Sequence, residues 1–165
     1  MNNTTGNIVR FVAIGIILTL FGPIAVIAQN TDRAKEKELQ GMYVKYLMEE
    51  GYKPEVDSDG DVQFKREGRT YFIGVSELDP GFFRVVLANF WPINSVEERL
   101  RVLAAADYSN AELKVFKVFT VKNSVWASIE LFVASPEDFR GVFRRSMLTL
   151  DSGVIIFARK MLELK

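Results

Sequence analysis

The sequence predicts an α+β domain in which helices pack on an antiparallel β-sheet. Two observations lead to this fold class. Short β-rich runs are separated by glycine-containing turns such as Asp-Gly and Glu-Gly, which join neighbouring antiparallel strands. Longer segments carry apolar residues at three- and four-residue steps, the spacing of an amphipathic helix. The predicted order is α-β-β-β(-β)-α-β-β-α, with the helices on one face of the sheet.

The first predicted helix begins at Thr31 or Asp32, either of which can act as an N-cap, and runs to about Glu50. Gly51 follows at the position where helices commonly end in a left-handed residue. One side of this helix is apolar and predicts a core contact through Leu39, Met42, Tyr43, Tyr46 and Leu47.

The next predicted elements are strands joined by tight turns. Val62–Lys65 and Arg69–Val75 flank an Arg-Glu-Gly turn, and Phe82–Phe90 forms a further β-rich run. Ser95 and Glu98 have the spacing of a capping box, which predicts a second helix as far as about Asp107.

Two long strands and a final helix complete the predicted domain. The strands are Leu113–Val121 and Ser124–Ala134, and both of their faces carry apolar residues, which predicts that part of each face is covered. Ser135 is the predicted cap of the last helix, with Pro136 at its first position. The apolar stripe of this helix is predicted to lie in the core and consists of Phe139, Val142, Phe143, Met147, Leu150, Val154, Phe157 and Met161.

An acidic loop, EVDSDGDVQFKREG from Glu55 to Gly68, raises the question of a calcium site. On the EF-hand template a loop starting at Glu55 places Arg66 where the bidentate glutamate belongs. A loop starting at Asp57 instead places Gly68 there. Asp-Gly between extended segments is a strong turn signal, so the sequence predicts a hairpin turn and no metal site.

The composition narrows the function classes. The chain has 165 residues, 21 basic and 21 acidic side chains, no cysteine and no histidine. Nucleophile–histidine pairs and typical zinc sites therefore cannot be built, and no glycine-rich phosphate loop is present. Balanced charge gives no support for nucleic-acid binding. We expect no enzyme, no catalytic residue and no cofactor.

The N-terminal segment differs from the rest of the chain. Residues 11–28 are uncharged and apolar, follow Arg10, and end with Val26 and Ala28 at the −3 and −1 positions of a cleavage site before Gln29. The sequence thus predicts a secretory signal at residues 1–28 and a single domain at residues 29–165. An uncleaved membrane anchor is the alternative. Export to a bacterial periplasm is consistent with a domain that uses no disulfides.

A cluster of aromatic residues is the candidate partner-binding region and comprises Phe82, Phe83, Phe90 and Trp91. Large aromatic side chains anchor protein interfaces, and a homodimer is the simplest form of such a contact. The same residues could instead form core and lid, or line the pocket of a small-molecule or lipid carrier.

Two stretches resemble a known family. YLMEEGYKPEVDSDGDVQFKREGRTYFIGV, residues 46–75, resembles the opening of YbjN-like domains, and SPEDF, residues 135–139, is similar to the start of their terminal helix. The resemblance covers residues 31–163. It implies a fold like that of type III secretion chaperones, which bind proteins and often dimerise. We therefore expect an exported, non-catalytic protein- or peptide-binding module, with a periplasmic carrier as the alternative.

Overall fold

A computed structural model describes the backbone of residues 22–165 and the side chains from residue 32 onward. The predicted export segment, residues 1–28, lies outside the described residues except at its end. Among the helices of the described chain, none has the length and apolar character needed to cross a membrane.

The fold is α+β, as predicted from the sequence. Its elements are α1 (Gly22–Glu49), β1 (Glu55–Val56), β2 (Val62–Arg66), β3 (Arg69–Ile73), β4 (Phe82–Pro92), α2 (Val96–Glu112), β5 (Phe116–Val121), β6 (Ser124–Phe132) and α3 (Phe139–Glu163), with a 3₁₀ turn at Pro136–Asp138. The six strands form one sheet in the order β1-β2-β3-β4-β6-β5, and every neighbouring pair is antiparallel.

One side of the sheet, here called the inner face, is covered by the helices. Register places Ile73 beside Val85 and Val85 beside Ile129, and all three are fully buried. Helix α3 contacts β4, β5 and β6, while α1 contacts β1 and β2 and α2 lies against β5 and α3. Because side chains alternate across a strand, every second residue of these strands belongs to the core.

Aromatic contacts join α1 to α3 beneath the sheet. The Tyr43 ring meets Phe139 edge-on at 4.8 Å between centroids, and Tyr46 meets Phe139 and Phe143 at 4.9 and 5.2 Å. Burial raises the pKa of Tyr43 to about 12, because the phenolate would lose its hydration there. The predicted apolar stripes of the first and last helices are thus packed against each other.

The helix boundaries differ from the prediction at three ends. Ser135 caps a 3₁₀ turn at Pro136–Asp138, and the α-helix α3 begins only at Phe139. Thr31 and Asp32 lie inside α1 and do not cap it, because no proline or glycine interrupts residues 24–40. Helix α2 passes Asp107 and ends at Glu112. Buried Ser109 satisfies its hydroxyl by donating to the Ala105 carbonyl at 2.7 Å, so it does not end the helix.

The strands also differ from the prediction. The ends of β3, β4 and β6 are shifted by two residues, to Ile73, Pro92 and Phe132, and larger differences concern β5 and β1. Strand β5 begins at Phe116 and not at Leu113, because Val115 adopts a left-handed φ of 57° that breaks the extended run. The two-residue strand β1 was not predicted. It pairs Val56 with Val62 and adds an outermost strand beside β2.

The acidic loop forms the predicted turn between β1 and β2. One carboxylate oxygen of Asp57 accepts the backbone N–H groups of Asp59 and Asp61 at 2.9 and 3.0 Å. Gly60 has a φ of 89°, which a residue with a side chain rarely adopts. Asp61 accepts the N–H of Val75 at 2.9 Å and ties the turn to the end of β3. These carboxylates hold local backbone structure.

Candidate binding surface

The four aromatic residues predicted as a binding region occupy three different environments. Phe83 is 0% exposed and belongs to the core, so a partner cannot reach it in the folded chain. Phe82, its neighbour in β4, lies on the opposite side of the sheet beside Phe132. Phe90 and Trp91 lie at the other end of β4, about 30 Å from Phe82 at the usual rise of a strand. Their contact with a partner stays a prediction.

Phe90 and Trp91 are held by contacts inside the domain. Both meet the ring of Phe157 in α3 edge-on, at 5.2 and 5.8 Å between centroids. The Trp91 indole N–H donates to Glu98 at 3.1 Å, and Glu98 also accepts the N–H of Asn94 at the start of α2. The four predicted aromatics therefore do not converge on one cavity, and the carrier alternative gains no support from them.

The side of the sheet opposite the helices, here called the outer face, carries a second set of aromatic side chains. Within residues 22–165 no helix packs on it. Its exposed or half-buried aromatics are Phe72 of β3, Phe82 of β4, Phe119 of β5, and Trp126 and Phe132 of β6. Phe132 is 77% exposed, which is unusual for so large an apolar side chain.

Four of the five outer-face aromatics form two pairs at opposite ends of β6. The rings of Phe82 and Phe132 lie 5.4 Å apart, and those of Phe119 and Trp126 lie 6.4 Å apart. Trp126 is oriented by its indole N–H, which donates to Asn89 at 3.1 Å. The six positions between Trp126 and Phe132 separate the two pairs by about 20 Å along the strand.

A charged cluster lies between the two aromatic pairs. Glu130 accepts from Lys117 and from the Ser128 hydroxyl, at 3.2 and 2.9 Å. Arg84 Nε also lies 3.2 Å from Glu130, but its N–H is not aligned for a hydrogen bond. The Lys117 ammonium and the Arg84 guanidinium lie 5.4 and 5.9 Å from the centre of the Phe119 ring. The outer face thus alternates aromatic, charged and aromatic zones.

The edges of the sheet are less accessible to a partner strand. In β5 the outward N–H and C=O of Val118 are both bonded by the side-chain amide of Asn110 in α2, at 2.7 and 3.2 Å. This amide occupies the groups that an added strand would need. At the opposite edge β1 offers only two residues.

The sequence prediction missed four of the five outer-face aromatics. Phe72, Phe119, Trp126 and Phe132 are spread out along the sequence, whereas Phe82, Phe83, Phe90 and Trp91 stand within ten positions. The available signal was that Leu113–Val121 and Ser124–Ala134 carry apolar residues on both faces. We interpreted that pattern as partial coverage of each face, but no described element covers the outer one.

Neither the metal-ligating types of side chain nor the surface cleft near β1 and β2 form an evident metal or catalytic site in residues 22–165. Residues 22–165 contain no group of three or more acidic, histidine or cysteine side chains close enough to hold a metal ion. A surface cleft of about 570 Å³ lies beside β1 and β2, and its lining combines Tyr52 and Phe64 with Lys53, Glu55 and Lys65. These charged and polar groups are typical of a solvated surface.

Comparison with known families identifies the domain. Residues 37–141 match the TY-Chap1 family, described as T3SS (YopN, CesT) and YbjN peptide-binding chaperone 1. The chain belongs to this family. The TY-Chap1 match runs from within α1 to the start of α3, so it includes the whole sheet and the outer face. It confirms the resemblance to YbjN-like domains. No curated protein and no solved structure matches the chain.

Proposed function

We propose that this TY-Chap1 domain is a non-catalytic, chaperone-type module that binds an extended, partly apolar peptide segment on its outer face. The observation that carries the proposal is the group of five aromatic side chains on a side of the sheet that no helix of residues 22–165 covers. Exposed apolar patches of this kind mark interaction sites, and aromatic side chains dominate such interfaces.

The spacing of the aromatic pairs suggests what the segment looks like. An extended peptide that lies along β6 rises about 3.3 Å per residue, so the 20 Å between the pairs corresponds to about six residues. Residues six apart in a strand point to the same side. The ligand we propose therefore has two large apolar residues at positions i and i+6. Polar residues between them would face Arg84, Lys117 and Glu130.

The non-catalytic part of the proposal is supported by the positions of the acidic side chains. Without histidine or cysteine, an enzyme would depend on other groups, among them its carboxylates. Asp57 and Asp61 bond backbone N–H groups, and Asp151 is paired with Arg66 at 2.6 Å. Glu98 and Glu130 likewise hold structural partners. These acids stabilise the fold and are not grouped around a reaction centre.

Binding of synthetic peptides tests the proposed ligand. Peptides of twelve residues without tryptophan should bind when two leucines or phenylalanines stand six positions apart. They should bind at least about tenfold more weakly at a spacing of five, which turns the second residue away. Phe132→Ser should weaken binding of the first peptide. Leu103→Ser should not, since it alters an exposed apolar residue on α2 instead. Equal binding at both spacings, or an unaffected Phe132→Ser variant, would reject this surface.

We further propose that residues 1–28 direct export, with cleavage before Gln29 or retention as an anchor. The support is the uncharged apolar run at residues 11–28 that follows Arg10. Fractionation of the native host followed by mass measurement of the intact protein tests this. A chain that starts at Gln29 in the periplasm indicates cleavage, and a full-length chain in the membrane indicates an anchor. A full-length chain confined to the cytoplasm would contradict export.

A further inference from the structure

A hollow lies at the end of the seam between β3 and β4, beside the Trp126 side chain. The two strands pair only as far as Tyr71 and Leu87, and β4 bulges beyond that point. A space of about 530 Å³ lies there, and we call it the seam hollow. Phe72 of the outer face lines it, and so does Asn89, which accepts the Trp126 indole N–H. The seam hollow therefore adjoins one aromatic end of the outer face.

The lining of the seam hollow offers hydrogen-bond donors and no carboxylate. Its polar side chains are Arg69, Thr70 and Asn89, and its other lining residues are apolar or glycine. Because an indole N–H can only donate, Asn89 must present its side-chain carbonyl oxygen to Trp126. The NH₂ group of Asn89 is then left as a donor, together with the Arg69 guanidinium and the Thr70 hydroxyl.

The charge around the seam hollow is positive. Arg69 and Lys65 are exposed, and no ion pair within residues 22–165 includes either of them. Lys65 stands opposite Thr70 where β2 pairs with β3. The carboxylate of the connecting turn, Glu67, is paired with Arg66 at 3.4 Å. An anionic group in the hollow would thus meet two cations that have no partner within the described residues.

We propose that the seam hollow binds the side-chain carboxylate of an acidic residue in the peptide on the outer face. A carboxylate accepts several hydrogen bonds at once and carries the charge that Arg69 and Lys65 attract. An amide lacks that charge, and an ammonium group cannot accept a hydrogen bond. This inference rests on the proposed function, and it adds a chemical class to the ligand, which is apolar at two positions and acidic at a third.

The place of the seam hollow fixes where the acidic residue stands in the peptide. One apolar residue of the proposed ligand lies on the Phe119–Trp126 pair, and the hollow lies at that end of β6, next to the β2–β3 turn at Gly68. Peptide side chains that face the sheet follow one another at every second position. We therefore expect the acidic residue two positions beyond this apolar residue, outside the six-residue spacing. Its presence at one end gives the bound peptide a direction.

Competition between matched peptides tests the assignment on the full-length chain in mild detergent. Every peptide carries leucine at i and i+6 and has blocked termini, so that only side chains are charged. One peptide has glutamate at both i−2 and i+8, which covers both directions, and the other has glutamine there. The glutamate peptide should bind at least about fivefold more tightly at about 50 mM salt, and its advantage should shrink at about 500 mM salt.

Three variants of the chain locate the source of this preference. Arg69→Gln should remove most of it. Arg145→Gln, which removes an exposed cation of α3, is the matched control and should retain it. Asn89→Asp should reverse it, because the new carboxylate lines the seam hollow and repels a glutamate. Aspartate still accepts the indole N–H of Trp126 and tolerates the left-handed φ of 53° at this position.

The remaining outcomes decide against the inference. Equal binding of the two peptides, with Phe132→Ser still weakening both, would overturn the carboxylate site and leave the peptide site on the outer face intact. Binding of neither peptide would overturn the proposed function together with it. A preference for glutamate that Arg69→Gln and Arg145→Gln lower equally would be an effect of net charge and would reject the seam hollow as its source.

Discussion

The inner and outer faces of the sheet are made by alternate residues of the same strands, yet the inner face is buried and the outer face is exposed. On the inner face Phe64, Phe83 and Ile129 are buried beneath the helices. On the outer face Phe82 and Phe132 stand next to each other with no described helix above them. Aromatic content alone therefore does not distinguish core from binding surface. The difference comes from the helices, all of which contact one side of the sheet.

Phe82 and Phe83 allow the most direct comparison of the two faces, because they are adjacent in β4 and point to opposite sides of the sheet. Phe83→Ala should lower the free energy of unfolding by about 3–5 kcal/mol, because it empties a fully enclosed volume beside Tyr43 and Phe139. Phe82→Ala should cost less than about 1 kcal/mol, because water can fill its place. Urea denaturation of the two variants measures both values. Equal losses would mean that the outer face is covered in the intact protein.

The close packing of α3 against β5 on the inner face can be tested by substituting a glycine of α3. A Cβ on Gly153 would overlap the Phe116 ring, so Gly153→Ala should destabilise the domain by about 1–3 kcal/mol. Gly141→Ala in the same helix is the matched control, since a Cβ there meets nothing within 4 Å. It should stabilise the helix by up to about 1 kcal/mol. Thermal unfolding compares the two, and stabilisation by both would contradict the close contact between α3 and β5.

The sequence allowed the fold to be predicted more fully than the binding surface. Local rules identified the features that depend on residues close in sequence. These are the turn glycines, the Ser95–Glu98 cap and the buried apolar stripe of α3. The cap is present, with the Ser95 hydroxyl accepting the Glu98 N–H at 3.0 Å. The end of α2 was misplaced because Ser109 and Asn110 are weak helix formers. Ser109 donates to the Ala105 carbonyl one turn back in the same helix, and Asn110 bonds Val118 of β5, a contact that a linear pattern does not show.

The outer face could not be assembled from sequence because its members come from four strands. Phe72, Phe82, Phe119 and Trp126 come to lie on one face only through the pairing order β3-β4-β6-β5, which places β6 between β4 and β5. Phe82, Phe83, Phe90 and Trp91, by contrast, are close in sequence but are divided by the alternation of the strand. A bulge between Leu87 and Trp91 further shifts the register at the end of β4.

The smallest effect that we predict concerns Asp61, in the turn between β1 and β2, whose side chain accepts the Val75 N–H. Burial raises the pKa of Asp61, Asp57 and Asp59 raise it further, and the Val75 N–H and Arg84 oppose the shift. The folded chain therefore holds this proton more tightly than the unfolded chain. Its contribution to stability is complete below the ordinary carboxyl pKa of about 3.9 and is lost as the pH rises through the raised folded value.

Replacing this carboxyl tests the direction of the shift. Asp61→Asn should gain stability relative to the unaltered chain between about pH 3 and pH 7, by less than about 1 kcal/mol, since solvent screens a half-exposed group. Gly60→Val is the control and should lower stability at every pH, because it obstructs a φ of 89°. Denaturation curves across this pH range measure both. A relative loss of stability for Asp61→Asn as the pH rises would mean that folding lowers the pKa of Asp61 and does not raise it.

The most direct test of the outer face as the peptide site uses the two tryptophans of the chain, one on each side of the sheet. Trp126 belongs to the outer face, whereas Trp91 packs against Phe157 of α3. Trp91→Phe leaves only Trp126 to report, and Trp126→Phe leaves only Trp91. On titration with a tryptophan-free peptide carrying apolar residues at i and i+6, the emission of Trp126 should shift and saturate, while that of Trp91 should stay constant. A saturable change at Trp91 with none at Trp126 would contradict the account.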